Sequence, residues 1–306
     1  MQSIIEHYNN EFKTLLNDNK KLLIEAFIKY YGECFRNDII ECFENMILCW
    51  GITDYFKKIY NDGYNKIKNN YSGNLLNILN DIKCLCESEN STILGFSNED
   101  CIQYKNIVSN VLDYNKGMVA SSISFLHNND VVKLIYFDMF SSSDKDIIHE
   151  INHYLTTKVL GIFESNNIKL LIEKKGLSIF GDEKTFFEEL INERSAMDIT
   201  NIFNRLGGTL SQYRIISFNK QNRYFNFLPL IESFYIKYNK ILKRVRIGEN
   251  LNELFRSINE NIYEAYINYI NFISSQKFDI SNSSNIIKKC DILVEKMYKK
   301  ELKLNS

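Results

Sequence analysis

Apolar residues recur along this chain at two different periods, and the switches between them mark its plan. Near the N-terminus, Phe12-Leu15-Leu16 and Leu22-Leu23-Ala26-Phe27-Tyr30 follow the three-four spacing of an amphipathic helix. Ile39-Ile40-Phe43-Met46-Ile47 and Leu75-Leu76-Ile78-Leu79-Ile82 continue it, with Gly51, Gly63 and Gly73 as breaks. The pattern then changes. Ser122-Ile123-Ser124-Phe125-Leu126 and Val131-Val132-Lys133-Leu134-Ile135-Tyr136-Phe137 are rich in β-branched and aromatic residues. Asn128-Asn129-Asp130 separates them, which predicts a β-hairpin. Helical spacing returns over 144–159 and over Phe186-Phe187-Leu190-Ile191-Met197. It returns again in Leu228-Leu230-Ile231-Phe234-Tyr235-Tyr238 and Ile258-Ile262-Ala265-Tyr266-Tyr269-Ile270, where Pro229 suits a first helical turn. The chain therefore reads as α+β and predominantly helical. A helical N-terminal region over 1–115 precedes a second region, 116–306, that holds a small sheet and more helices.

Two of the chain's four histidines stand in His149-Glu150-Ile151-Asn152-His153, just after the predicted hairpin. Asp144 and Asp146 follow Ser141-Ser142-Ser143, a combination that starts helices. At about 100° per residue, Ile147, Ile148, Ile151, Tyr154, Leu155 and Val159 share one stripe. His149 and His153 centre on nearly the opposite face. Side chains at i and i+4 project together, so the two imidazoles can grip one metal ion while Glu150 reaches a water beside it. H-E-x-x-H on a helix is the arrangement a zinc-dependent hydrolase needs.

A strand leading into an H-E-x-x-H helix resembles the upper half of the zincin metallopeptidase fold, and this resemblance spans residues 121 to 200. It implies that 116–306 is a zincin-like peptidase domain, its small sheet lying next to the H-E-x-x-H helix. It also implies an open edge strand along which an extended peptide can pair, so that the partner is a protein or peptide substrate. A catalytic zinc commonly takes three protein ligands. Tyr154-Leu155-Thr156-Thr157-Lys158-Val159 lacks the glycine and third histidine of the metzincins, and His7 and His127 lie upstream with no motif around them. A downstream glutamate, as in the gluzincins, is the natural third ligand. Asn192-Glu193-x-x-Ala196 resembles the third-ligand helix of many gluzincins, although Met197 stands where those families often carry a carboxylate. Glu189 with Glu193 matches the glutamate-then-carboxylate spacing of anthrax-lethal-factor-like peptidases. The resemblance thus implies Zn²⁺ held by His149, His153 and Glu193 with Glu189 behind, and the reverse order of the two glutamates also fits. Glu173, in a stretch that reads as a solvated helix end, is a third choice. Glu150 would be the general base. Tyr213 and Tyr224 are candidates to stabilise the oxyanion, though no spacing selects them.

Charge narrows the partners. With 37 basic and 38 acidic residues and no dominant basic run, nucleic acid is not an expected partner. No apolar stretch approaches the roughly 20 residues that span a bilayer, and the first residues carry no basic-then-apolar leader. Seven cysteines without C-x-x-C spacing point to a reducing, cytoplasmic setting; a leaderless secreted effector is the other setting the sequence fits. Two other functions compete with peptidase action. One is a zincin-fold binding or regulatory module without turnover, which would have no need of Glu150. The other is a structural helical protein with a chance motif, which a metal assay would reveal.

Overall fold

The computed structural model describes residues 2–88, 92–114, 119–165, 168–179, 185–211, 224–248, 260–275 and 283–304. It is predominantly helical with a small mixed sheet, an α+β chain. Two compact units emerge: Met1–Tyr154 with Ile199–Asn219, and Leu155–Asp198 with Lys220–Ser306.

In the first unit, helices α1 (Gln2–Tyr31), α2 (Arg36–Asn45) and α4 (Asn74–Cys86) carry the periodic stretches, and α3 (Asp54–Ile67) and α5 (Lys105–Tyr114) stand beside them. Two strands interrupt them, β1 (Ile47–Gly51) and β2 (Ile93–Phe96), where a wholly helical region was expected. Helical spacing through Met46-Ile47 misleads because Ile47-Leu48-Cys49-Trp50 is a short apolar run, and periodicity alone cannot separate such a run from a buried strand. Gly63 lies inside α3 and breaks nothing, whereas Gly73, at φ 61°, directly precedes α4. Gly51 closes β1 for a steric reason: a Cβ there would stand 2.1 Å from the carbonyl oxygen of Thr92.

The predicted hairpin forms as β3 (Ala120–His127) and β4 (Asp130–Asp138), antiparallel with Ser122 opposite Ile135. Asn128 and Asn129 turn it with φ of 51° and 71°, the paired positive angles of a type I′ turn, which asparagine tolerates. The sheet order is β2-β1-β4-β3, with β1 parallel to β4 and the other pairs antiparallel. Both faces of β4 are covered, which explains its unbroken apolar run. Leu134 and Tyr136 pack with Cys49, Ile93 and Val108. Phe137 and Trp50 each meet Phe12 of α1 at ring separations of 5.3 Å. At the end of β4, Asp138 is fully buried and accepts from the backbone N–H groups of Thr53, Phe140 and Ser141 and from the Thr53 hydroxyl. Burial pushes its carboxyl up, and these donors oppose that shift by favouring the charged form.

The second unit contains an antiparallel sheet, β5 (Thr157–Ser165), β6 (Ile168–Lys175) and β7 (Ser178–Ile179), in that order. It also contains α8 (Glu232–Ile247), α9 (Glu260–Ser275) and α10 (Ser283–Leu304). Pro229 sits in the 3₁₀ turn Phe225–Leu230 just ahead of α8. Aromatic side chains fill this core, with Phe234 stacked on Tyr269 at 5.0 Å and tilted against Tyr238 at 4.9 Å. The β5–β6 hairpin corrects two expectations. Val159 belongs to a strand, since the preceding helix ends at Thr156, and Glu173 lies on β6 with its side chain buried.

Candidate metal centre

Helix α6 (Asp144–Thr156) carries the H-E-x-x-H motif, and local chemistry fixes where it begins. The Ser143 hydroxyl accepts from the N–H of Asp146 at 3.2 Å, and the Asp146 carboxylate accepts from the N–H of Ser143 at 2.9 Å. This reciprocal pair is a capping box with aspartate in the usual glutamate position. Just before it, the Ser142 hydroxyl donates to the carbonyl of Val119 at 2.8 Å. Asp144 accepts from the N–H of Leu210 at 2.8 Å.

The rest of the helix is held on several sides. Ile147, Ile148 and Ile151 are buried as the stripe predicts. The Tyr31 hydroxyl at the end of α1 donates to Asn152 Oδ1 at 2.5 Å, within the motif itself. At the other end, Lys133 Nζ donates to the carbonyl of Tyr154 at 2.9 Å and lies 4.3 Å from the centre of its ring. A cation at a helix C-terminus is favourable because the last carbonyls concentrate negative potential there.

His149 and His153 are 7 % and 6 % exposed, with ring centroids 4.7 Å apart. Glu150 is half-buried, and its Oε2 accepts from the backbone N–H of Ser122 on β3 at 2.7 Å. One nitrogen from each histidine and one carboxylate oxygen of Glu189 all lie within 4.8 Å of one another. Histidine, histidine and glutamate form a donor set that suits zinc and also other first-row divalent ions. This buried group can hold a metal ion.

The predicted third-ligand segment is helical, within α7 (Thr185–Arg205). Glu193, the residue favoured from sequence, is 2 % exposed but stands outside the group; Glu189 takes its place. Glu173 is likewise outside the group. Tyr213 lies outside the described residues, and Tyr224 is half-buried against the aromatic core of the second unit.

Sequence reasoning passed over Arg246. Its side chain is 2 % exposed and pairs with Glu188, which is equally hidden, at 2.7 Å. A signal was present in the sequence, because Arg246 falls four residues after Leu242 on the buried stripe of α8. A basic residue on an apolar stripe demands a buried partner.

Comparison of the chain with protein-family models, characterised proteins and solved structures finds no match. Among the described residues, no helix is long and apolar enough to cross a membrane. The seven cysteines are free thiols.

Proposed function

We propose that the protein is a zinc-dependent peptidase of gluzincin type, with a zincin-like fold around α6, that hydrolyses a peptide bond of an extended protein or peptide substrate. The observation that carries this reading is the buried group of His149, His153 and Glu189 beside Glu150. These three residues would hold the ion. Zinc, when bound, supplies a Lewis acid that brings the pKa of water near 7 and polarises a carbonyl.

Glu150 acts as general base. It takes the proton of the attacking water and passes it to the leaving amine. The Ser122 N–H holds Oε2 and leaves Oε1 to receive that proton. The same contact supports the choice of substrate. Ser122 donates away from β4, so its pairing with Ile135 is of the non-hydrogen-bonded kind, and Ser124 and Leu126 present their backbone groups outward as well. Because β3 ends the sheet, those groups offer an extended peptide a ladder to join.

The test is elemental analysis of the unchelated protein, followed by digestion of a proteome-derived peptide library with cleavage read by mass spectrometry. About one zinc per chain, lost in His149→Ala, together with cleavage by the wild type, is the expected result. Absence of any transition metal would end the reading. Metal without cleavage would favour the binding module.

A further inference from the structure

We propose that Arg246 is a positioning residue for the metal centre: its guanidinium sets the rotation of α7 and thereby the direction in which Glu189 is presented. The proposal rests on the metal-binding reading above. Glu188, Asn192 and Ser195 stand at i, i+4 and i+7 on one face of α7, all nearly or wholly buried. Arg246 Nη2 donates to Glu188 Oε1 at 2.7 Å and to Asn192 Oδ1 at 2.5 Å, while Nη1 donates to Ser195 Oγ at 2.9 Å. A single residue of α8 thereby grips about 10 Å of helix α7.

The far side of Glu188 is held too. Its Oε2 accepts from the backbone N–H of Leu177 at 2.9 Å. Gly176, at φ +53°, lets the β6–β7 turn come this close, since a Cβ there would stand 2.1 Å from Glu188 Oε1. Glu188 is thus fastened between α8 and a turn, immediately before the metal-binding glutamate.

Charge balance alone does not require this arrangement. One carboxylate neutralises one guanidinium, and apolar pairs often replace buried ion pairs with no loss of stability. What three acceptors spread over two turns add is a fixed angle about the helix axis. Side-chain ends lie about 5–6 Å from that axis, so a rotation of about 10° would displace the Glu189 carboxylate by about 1 Å. Ligand geometry tolerates only about 0.5 Å. Helix rotation is therefore a variable to which this centre is sensitive, and Arg246 fixes the buried polar face of that helix.

The experiment compares zinc affinity, by competition with a chelator at one pH, in the wild type, Arg246→Met, Arg246→Lys and Val294→Ala. Val294 is buried in α10 and serves as a control for general destabilisation. Circular dichroism and urea melts confirm the folded state of each. Arg246→Met is expected to bind zinc about 10- to 100-fold more weakly, the usual effect of losing a residue that orients a ligand. Arg246→Lys should recover part of the loss, and Val294→Ala should bind as the wild type does. Unchanged affinity in folded Arg246→Met would overturn the proposal and leave the metal site standing. A wild type that binds no zinc would remove the site itself. If Arg246→Met does not fold, Asn192→Leu and Ser195→Ala, which each remove one contact of the fork, decide by the same criterion.

Discussion

The backbone N–H of Ser122 donates to Oε2 of Glu150 at 2.7 Å, tying the edge strand of the sheet to the acid of the H-E-x-x-H helix. One peptide group thus links the surface on which a substrate strand would lie to the carboxylate that would move the proton. Replacing Glu150 by glutamine keeps the shape and an oxygen that can accept from Ser122. It removes only the basicity. Glu150→Gln is expected to retain zinc and its unfolding midpoint while losing at least about 10²-fold in cleavage rate, the usual worth of a general base. Elemental analysis, urea unfolding and library digestion of the two proteins check this, and equal cleavage would remove Glu150 from the mechanism.

The contact can also be tested from the strand. Proline is tolerated on an edge strand, so Ser122→Pro deletes the donor, and its ring displaces the Glu150 oxygen that lies 2.7 Å from the nitrogen. A hydrogen bond to a charged group contributes about 1.5–3 kcal/mol, and kcat should therefore fall by about 10- to 100-fold with zinc still bound. Ser124→Pro removes an N–H that only a paired substrate would use, and should raise KM instead. The opposite assignment of effects in steady-state kinetics would separate Glu150 from the edge strand.

The two glutamates of α7 can be told apart directly. Glu189→Ala should lower zinc affinity more than Glu193→Ala, because an oxygen of Glu189 lies within 4.8 Å of a nitrogen of each histidine and Glu193 is outside that group. Chelator competition at one pH ranks them, and a larger loss in Glu193→Ala would restore the order inferred from sequence.

The stretch Asn192-Glu193-x-x-Ala196 also shows how far sequence reached. The hairpin was legible because Asn128-Asn129 and the β-branched runs beside it are local signals. So was α6, through Ser143, Asp146 and the apolar stripe. These features need no knowledge of distant partners. β1 and β2 were illegible because their pairing with β4 and with each other is set by residues far away in the chain. Choosing between Glu189 and Glu193 was likewise non-local. Both share one edge of the helix, and Asn192 beside them accepts a bond from Arg246, 54 residues further on. Asn192 matched a motif for third-ligand helices while serving a different partner.

Tyr31 and Asn152 test whether the first helix braces the motif helix. Tyr31→Phe removes the buried hydroxyl that donates to Asn152 at 2.5 Å. A net loss of about 0.5–1.5 kcal/mol in unfolding free energy is expected, with the urea midpoint lowered and the slope unchanged. A midpoint equal to the wild type would mean the contact adds nothing to stability.

Alkaline pH offers a last test, independent of the metal. Cys86 and Cys290 are buried, one in each compact unit, and loss of solvation pushes both thiols up to about 12, with Asp138 and Asp291 respectively adding to the shift. In the unfolded chain a thiol loses its proton near pH 8.5. Between that value and about 12 the unfolded state binds fewer protons than the folded one, so the free energy of unfolding must fall as pH rises. Below pH 8 both states hold the proton and these groups impose no slope. Each thiol can contribute up to about 1.4 kcal/mol per pH unit within the window. Urea unfolding at pH 8, 9, 10 and 11 should therefore show stability declining above pH 9. The decline should be shallower in the Cys86→Ala/Cys290→Ala double variant, which lacks both titrating groups. Equal slopes in the two proteins would show that these thiols ionise alike in the folded and unfolded states.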